Sequence, residues 1–134
     1  MYEDVKIVID LDGTICPIKS EGEKYIDLVP NEDIVEKMRE YARQGAKITI
    51  FTSRNMRTYE GDVELIKENT VPVIKKWLDV HEIPYDELIV GKPWAGRVGL
   101  YVDDRAVRPD EFVEHDFEEL VKICEKSARV GGKK

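Results

Sequence analysis

The chain has 134 residues, with 21 Lys and Arg against 28 Asp and Glu, a net charge of −7 with neutral histidines. That length allows one domain, and 42% apolar residues suffice for its core, which excludes collagen-like, low-complexity and disordered classes. An acidic chain is a poor general nucleic-acid binder, since that affinity comes from Lys and Arg neutralising phosphates. No apolar run approaches a membrane span, the start Met-Tyr-Glu-Asp lacks the basic and apolar parts of a secretory leader, and Cys16 and Cys124 form no CxxC pair. The expectation is a soluble, cytoplasmic, single-domain protein without a disulfide framework or zinc site.

Residues 5–9 (Val-Lys-Ile-Val-Ile) are short, β-branched and apolar and run into Asp10-Leu11-Asp12-Gly13-Thr14, which reads as a buried strand ending in a glycine turn. Residues 15–30 carry Pro17, Gly22 and Pro30 without a clear period, so they form a loop or flap. Asn31 is placed to N-cap a helix whose apolar face is Ile34, Val35, Met38, Tyr41 and Ala42, and Gly45 stops it. Residues 46–51 give a second strand ending at Thr52-Ser53. A polar second flap follows over 53–69, with one helical turn at 63–66. Thr70 and Pro72 open a helix with Val71, Ile74, Trp77 and Leu78 at helical spacing. Residues 87–90 and 99–102 read as two more strands, 116–127 as a last helix, and 131–134 as a frayed tail.

Strands alternating with helices predict an α/β fold: a doubly wound, mostly parallel sheet with helices on both faces, in one domain over 1–130 with no full cap. Right-handed crossovers would bring every strand's carboxyl end to one edge of the sheet, where ligands of open α/β sheets bind. The residues that follow the four strands are Asp10, Asp12, Gly13 and Thr14; then Thr52, Ser53 and Arg54; then Gly91 and Lys92; then Asp103, Asp104 and Arg105. Four converging carboxylates repel unless a cation joins them, and all-oxygen ligands beside an anionic substrate favour Mg²⁺. Carboxylates, one hard metal, a lysine and a hydroxyl suit phosphoryl transfer, because the metal lets an anionic nucleophile approach an anionic phosphate.

Asp-Leu-Asp-Gly-Thr after a strand, Thr52 ending the next, then Lys92, then Asp103-Asp104 resemble the four motifs of the haloacid dehalogenase superfamily, in order and over nearly the whole chain. The stretches 52–61 and 91–94, with Tyr101-Val102-Asp103-Asp104-Arg105, further resemble a small branch of capless phosphatases associated with capsule polysaccharide synthesis. The resemblance implies Asp10 as nucleophile, forming an aspartyl-phosphate, and Asp12 as general acid and then base. Two carboxylates two residues apart on an extended segment point the same way, which suits that division. It implies Thr52 and Ser53 as phosphate-binding residues and Lys92 as the neutraliser of charge on phosphate and on Asp10. It implies a Mg²⁺ site of Asp10, the Asp12 backbone carbonyl, Asp103 and Asp104, with Asp104 favoured as direct ligand. The substrate would be a small phosphorylated metabolite, with a sugar phosphate in view, and a capless enzyme can borrow a neighbouring subunit to cover its site.

Two other functions fit parts of the pattern. A receiver-like signalling module uses a similar acid pair, Thr and Lys, but there the pair comes from the first strand, whereas here Asp103-Asp104 follows Lys92. A phosphatase of nucleic-acid ends or phosphoproteins fits an open site, with the charge of −7 weighing against polynucleotides. Arg54, Arg57, Arg97, Arg105 and Arg108 flank the motifs; both a grip on a second anionic group and ordinary surface ion pairing account for them. Trp94 fits either stacking on a ligand or packing, Asp103-Asp104 could include a turn cap, Trp77 reads as core and Cys16 as a small packing residue. His81 and His115 have no catalytic partner pattern.

Overall fold

A computed structural model describes residues 1–132 of the chain. Strands β1 (Lys6–Ile9), β2 (Lys47–Thr52) and β3 (Glu87–Val90) form one parallel sheet in that order, flanked by helices, the arrangement of a Rossmann-like core. Ile9 lies opposite Ile50, and Thr52 opposite Val90, so all three strands end at the same edge. β2 is central and carries the densest burial: Ile48, Thr49, Ile50 and Thr52 are all buried. Its start is tied to β3 by Asp86, whose Oδ2 accepts the Ile48 N–H at 2.7 Å while its own N–H donates to the Ile48 carbonyl at 2.8 Å.

Helix α1 (Glu32–Arg43) buries Ile34, Val35, Met38 and Tyr41, the face expected from their spacing. Gly45 (φ 95°) follows it, its N–H donating to the Ala42 carbonyl at 3.0 Å. Helix α2 (Val63–Asn69) starts where the single turn over 63–66 was expected, with the Asp62 side chain accepting the Glu64 and Leu65 N–H groups at its N-cap, and it runs on to Asn69. Helix α3 (Val71–Val80) buries Ile74, Trp77 and Leu78. Trp77 is the largest fully buried side chain; its indole N–H donates to the Leu28 carbonyl at 2.7 Å, and the His81 ring packs against it at a tilt of 56°, with ring centroids 5.0 Å apart. The segment 15–30 is thereby fastened to the core at Leu28, with a 3-10 turn at Tyr25–Asp27.

The structure divides into two compact units, Met1–Trp94 and the residues from Ala95 on. The first holds the sheet and α1 to α3. The second holds α4 (Pro109–Glu114) and α5 (Phe117–Ser127). Asp116 caps α5, accepting the Glu119 N–H at 2.9 Å while Glu119 accepts the Asp116 N–H at 2.9 Å, so the expected last helix forms with its expected bounds. Helix α4 was not expected, although Pro109 at its first position and Asp110 and Glu111 in its first turn are a helix-start signature. The tail expected over 131–134 falls partly outside the described residues, at 133 and 134.

Two expectations are corrected. Residues 99–102 form no strand: Leu100 is 85% and Val102 95% exposed, and the sheet comprises β1, β2 and β3. The segment leaves a turn in which a Cβ at Gly99 would come 1.9 Å from the Ala95 carbonyl oxygen, so the chain doubles back where an extended start was expected. A strand exists only within a ladder, and β-branched composition cannot supply one. The first strand, an edge of the sheet, is also less buried than expected: Lys6 is exposed, Val8 is 59% exposed, and Ile9 alone of its four residues is buried.

The buried Trp77 gives a stability prediction. Trp77→Ala removes the indole and leaves the Leu28 carbonyl without its donor, so it is expected to cost about 3–5 kcal/mol. Urea unfolding followed by circular dichroism measures this as a lowered midpoint.

Candidate active site

The chain turns sharply once β1 ends. The Leu11 carbonyl accepts N–H groups from Thr14 (3.2 Å), Ile15 (2.9 Å) and Cys16 (3.2 Å), and the Gly13 N–H donates to the Cys16 carbonyl at 2.7 Å. Gly13 sits at φ 90°, a conformation L side chains rarely adopt, and a Cβ there would also press on Ile18 at 3.3 Å. Asn31 stands at the N-cap of α1 as expected, but its side chain makes no cap bond. Its amide instead donates to the Thr14 carbonyl at 2.8 Å and its backbone N–H to the Ile15 carbonyl at 2.8 Å. The start of α1 thus pins the turn that displays Asp10 and Asp12.

Asp10 has both carboxylate oxygens engaged. Lys92 Nζ lies 3.3 Å from Oδ1, and the Thr14 hydroxyl donates to Oδ2 at 3.2 Å. The Asp10 side chain is 35% exposed and that of Lys92 19%, so the pair is reachable yet partly desolvated. Lys92 arrives because its backbone N–H extends the ladder to the Thr52 carbonyl at 3.1 Å, just after Gly91 turns at φ 87°. Thr52 itself is buried, with Oγ1 accepting the Arg54 N–H at 3.0 Å. That contact uses a lone pair and leaves the hydroxyl proton to be donated. Ser53 follows Thr52 half-buried, its carbonyl accepting the Met56 N–H at 3.0 Å.

Asp12 meets a partner the sequence did not reveal. Arg54 Nε donates to its Oδ2 at 3.0 Å and a terminal guanidinium nitrogen to its Oδ1 at 2.8 Å, a two-pronged charge-assisted pair. The Arg54 side chain is only 2% exposed, against 23% for Asp12, and the Tyr25 ring lies 4.0 Å from the guanidinium carbon. Arg54 therefore belongs neither to the surface nor to an open anion grip. Arg57 remains exposed, over the half-exposed Trp94 ring at 5.8 Å. Arg97, Arg105 and Arg108 are exposed residues of the second unit.

The acid pair 103–104 is also in the second unit, and both residues are exposed. Asp103 Oδ1 accepts the Arg105 N–H at 2.8 Å, so Asp103 caps the local turn. Among the described residues no three His, Cys, Asp or Glu side chains gather into a metal cage. The donors at the end of β1 are oxygens, the kind a hard cation takes, but the Asp12 carboxylate is already committed to Arg54. In the first unit a cation would therefore meet the Asp10 carboxylate and the backbone carbonyl of Asp12.

Cys16 lies against this pair, its Sγ 3.5 Å from Asp12 Oδ1 and 3.8 Å from the Arg54 guanidinium. Burial, and secondarily the Asp12 charge, push its thiol up to about 12. At pH 8 only about one thiol in ten thousand is then ionised. Brief iodoacetamide treatment of the native protein at pH 8 is expected to alkylate the partly exposed Cys124 and spare Cys16, as read by peptide mass spectrometry.

Neither a family model nor a curated protein sequence matches the chain. Among solved structures, an MCSG structural-genomics target from Vibrio cholerae is 48% identical, covers 92% of this chain and 99% of its own, and superposes with a TM-score of 0.87. Two chains of the Pnkp1/Rnl/Hen1 complex, the second described as an RNA repair complex, are 21% and 17% identical, with TM-scores of 0.46 and 0.45. The chain spans about a third of their length, 34% and 32%. At 48% identity over nearly the full length of both proteins, the chain belongs to the same family as the Vibrio cholerae protein.

Proposed function

We propose that the chain is a phosphomonoester hydrolase of the haloacid dehalogenase type, acting through an aspartyl-phosphate. The observation that carries this reading is the setting of Asp10: a carboxylate at the end of β1, braced by Lys92 at 3.3 Å and Thr14 at 3.2 Å, beside a second carboxylate at Asp12. Lys92 and Thr14 hold Asp10 in one orientation, which is what a nucleophile needs for an in-line approach to phosphorus. In the first step an Asp10 oxygen bonds to phosphorus while the bond to the leaving oxygen breaks, and Asp12 supplies the proton that oxygen takes. In the second, water attacks phosphorus, gives its proton to Asp12, and the Asp10–phosphorus bond breaks to release phosphate. Thr52 and Ser53 would hold phosphoryl oxygens, and Lys92 would offset their charge.

Magnesium is the proposed cofactor, on the oxygen character of Asp10, the Asp12 carbonyl, Asp103 and Asp104, the last two on the sequence resemblance alone. When bound, it would supply the positive charge that lets two anions meet. The proposed substrate is a small phosphorylated metabolite, with sugar phosphates of capsule polysaccharide synthesis first in line on the likeness of residues 52–61 and 91–94.

Purified protein with Mg²⁺ is expected to hydrolyse 4-nitrophenyl phosphate and to stop when EDTA is added. Asp10→Asn should lower kcat by about 10³-fold or more, as loss of a nucleophile does. Phosphate release followed with malachite green against a panel of sugar phosphates, nucleotides and the aryl ester reads both results. Full activity of the Asn variant would remove the covalent mechanism.

A further inference from the structure

Arg54 is charged, buried and unused by the proposed chemistry, and its geometry says how it takes part. An Asp12 carboxylate has roughly four lone-pair positions. Arg54 takes one on each oxygen, at 3.0 and 2.8 Å, and the Cys16 thiol lies 3.5 Å from Oδ1. The unengaged lone pairs face fewer directions, so a proton can reach or leave Asp12 along a restricted path. With its side chain 2% exposed and Tyr25 stacked on it, Arg54 is out of reach of a substrate that can still meet Asp12 at 23%.

We propose that Arg54 is a positioning residue for Asp12: its buried guanidinium sets the angle from which Asp12 exchanges protons with the leaving oxygen and with water, and it touches no substrate. The inference rests on the phosphatase reading of the same site. It differs from a grip on a second anionic group of the substrate, which would need an exposed guanidinium and would show in KM. It also differs from a purely structural ion pair, which would slow every substrate alike.

Leaving-group dependence separates these roles. A 4-nitrophenolate leaves without a proton, whereas an alkoxide of glycerol phosphate needs one. The full-length protein is assayed on both esters as wild type, Arg54→Lys, Arg54→Gln, Asp12→Asn and the Asp12→Asn/Arg54→Lys double variant, each checked for folding by circular dichroism. Arg54→Lys keeps the charge but loses the fork, so it carries the test where the Gln variant does not fold. The expected result is a fall in kcat of about 10- to 100-fold on glycerol phosphate. The fall should be within about threefold for formation of the phosphoenzyme from the aryl ester, followed by its nitrophenolate burst, with KM unchanged. The double variant should be no slower than Asp12→Asn, since Arg54 acts only through Asp12.

Equal losses of kcat on glycerol phosphate and of burst rate on the aryl ester would overturn the proposal in favour of a structural role. A rise in KM alone would overturn it in favour of substrate contact, and additive losses in the double variant would overturn it as well. A wild-type protein with no turnover of either ester removes the phosphatase reading and this proposal together. A wild type that turns over while the Arg54 variants behave normally removes only this proposal.

Discussion

The head of the sheet depends on the ion pair between Asp12, just past β1, and Arg54, just past β2. A guanidinium withdrawn from water this fully is costly unless its charge and its donors are matched, and a carboxylate presenting both oxygens is the partner that matches the fork. The two post-strand turns are therefore not free to move independently. The turn after β1 is further fixed by Gly13 and by the Asn31 bonds to Thr14 and Ile15, and the turn after β2 by the Thr52 hydroxyl accepting the Arg54 N–H. Asp10 lies inside this frame. Its orientation is set locally by Lys92 and Thr14, but the place where that happens is set by how the two turns are joined.

The packing around the pair follows from the same requirement. Tyr25 stacks on the guanidinium and is itself partly buried, so its hydroxyl is pushed upward by desolvation first and by the Asp12 charge second. Cys16 fills the remaining space with a small, polarizable side chain that stays protonated. Segment 15–30, which looks featureless in sequence, thus has a defined task in covering the ion pair, and its anchor is the Leu28 carbonyl held by Trp77.

Elements whose evidence is local were legible in the sequence. Helices α1 and α3 announce themselves by a 3.6-residue apolar period, and β2 by a run of β-branched residues between Gly45 and the polar residues after Thr52. Asp10, Thr52 and Lys92 could be placed at strand ends for the same reason. What failed was information carried between distant segments. Residues 99–102 have the composition of a strand, yet composition cannot say whether a neighbouring strand pairs with them. Arg54 and Asp12 are 42 positions apart, and nothing in an isolated Arg after a strand distinguishes a buried clamp from a surface charge. The usable clue is positional: Arg54 lies two residues past β2 and Asp12 three past β1, so neighbouring parallel strands bring them within one register step of each other. Thr14 shows no role in the sequence, because a hydroxyl four residues from a carboxylate reaches it only once the glycine turn has formed.

Charge at the site completes the physical picture and separates it from the charge of the chain. The protein as a whole carries −7, but where β1, β2 and β3 end, two carboxylates are matched by two cations, Asp10 by Lys92 and Asp12 by Arg54. The net acidity therefore resides elsewhere and does not by itself repel an anionic ligand from this edge. A phosphate monoester at neutral pH would nevertheless bring additional negative charge to this edge, and Arg54, buried and committed to Asp12, is out of its reach. Lys92 would have to serve both Asp10 and the phosphate. Such a ligand would draw on a further positive charge, and the hard oxygen of Asp10 is where a divalent ion would supply one. The charge balance of the first unit is thus one support for the proposed magnesium dependence, beside the sequence resemblance that carries Asp103 and Asp104.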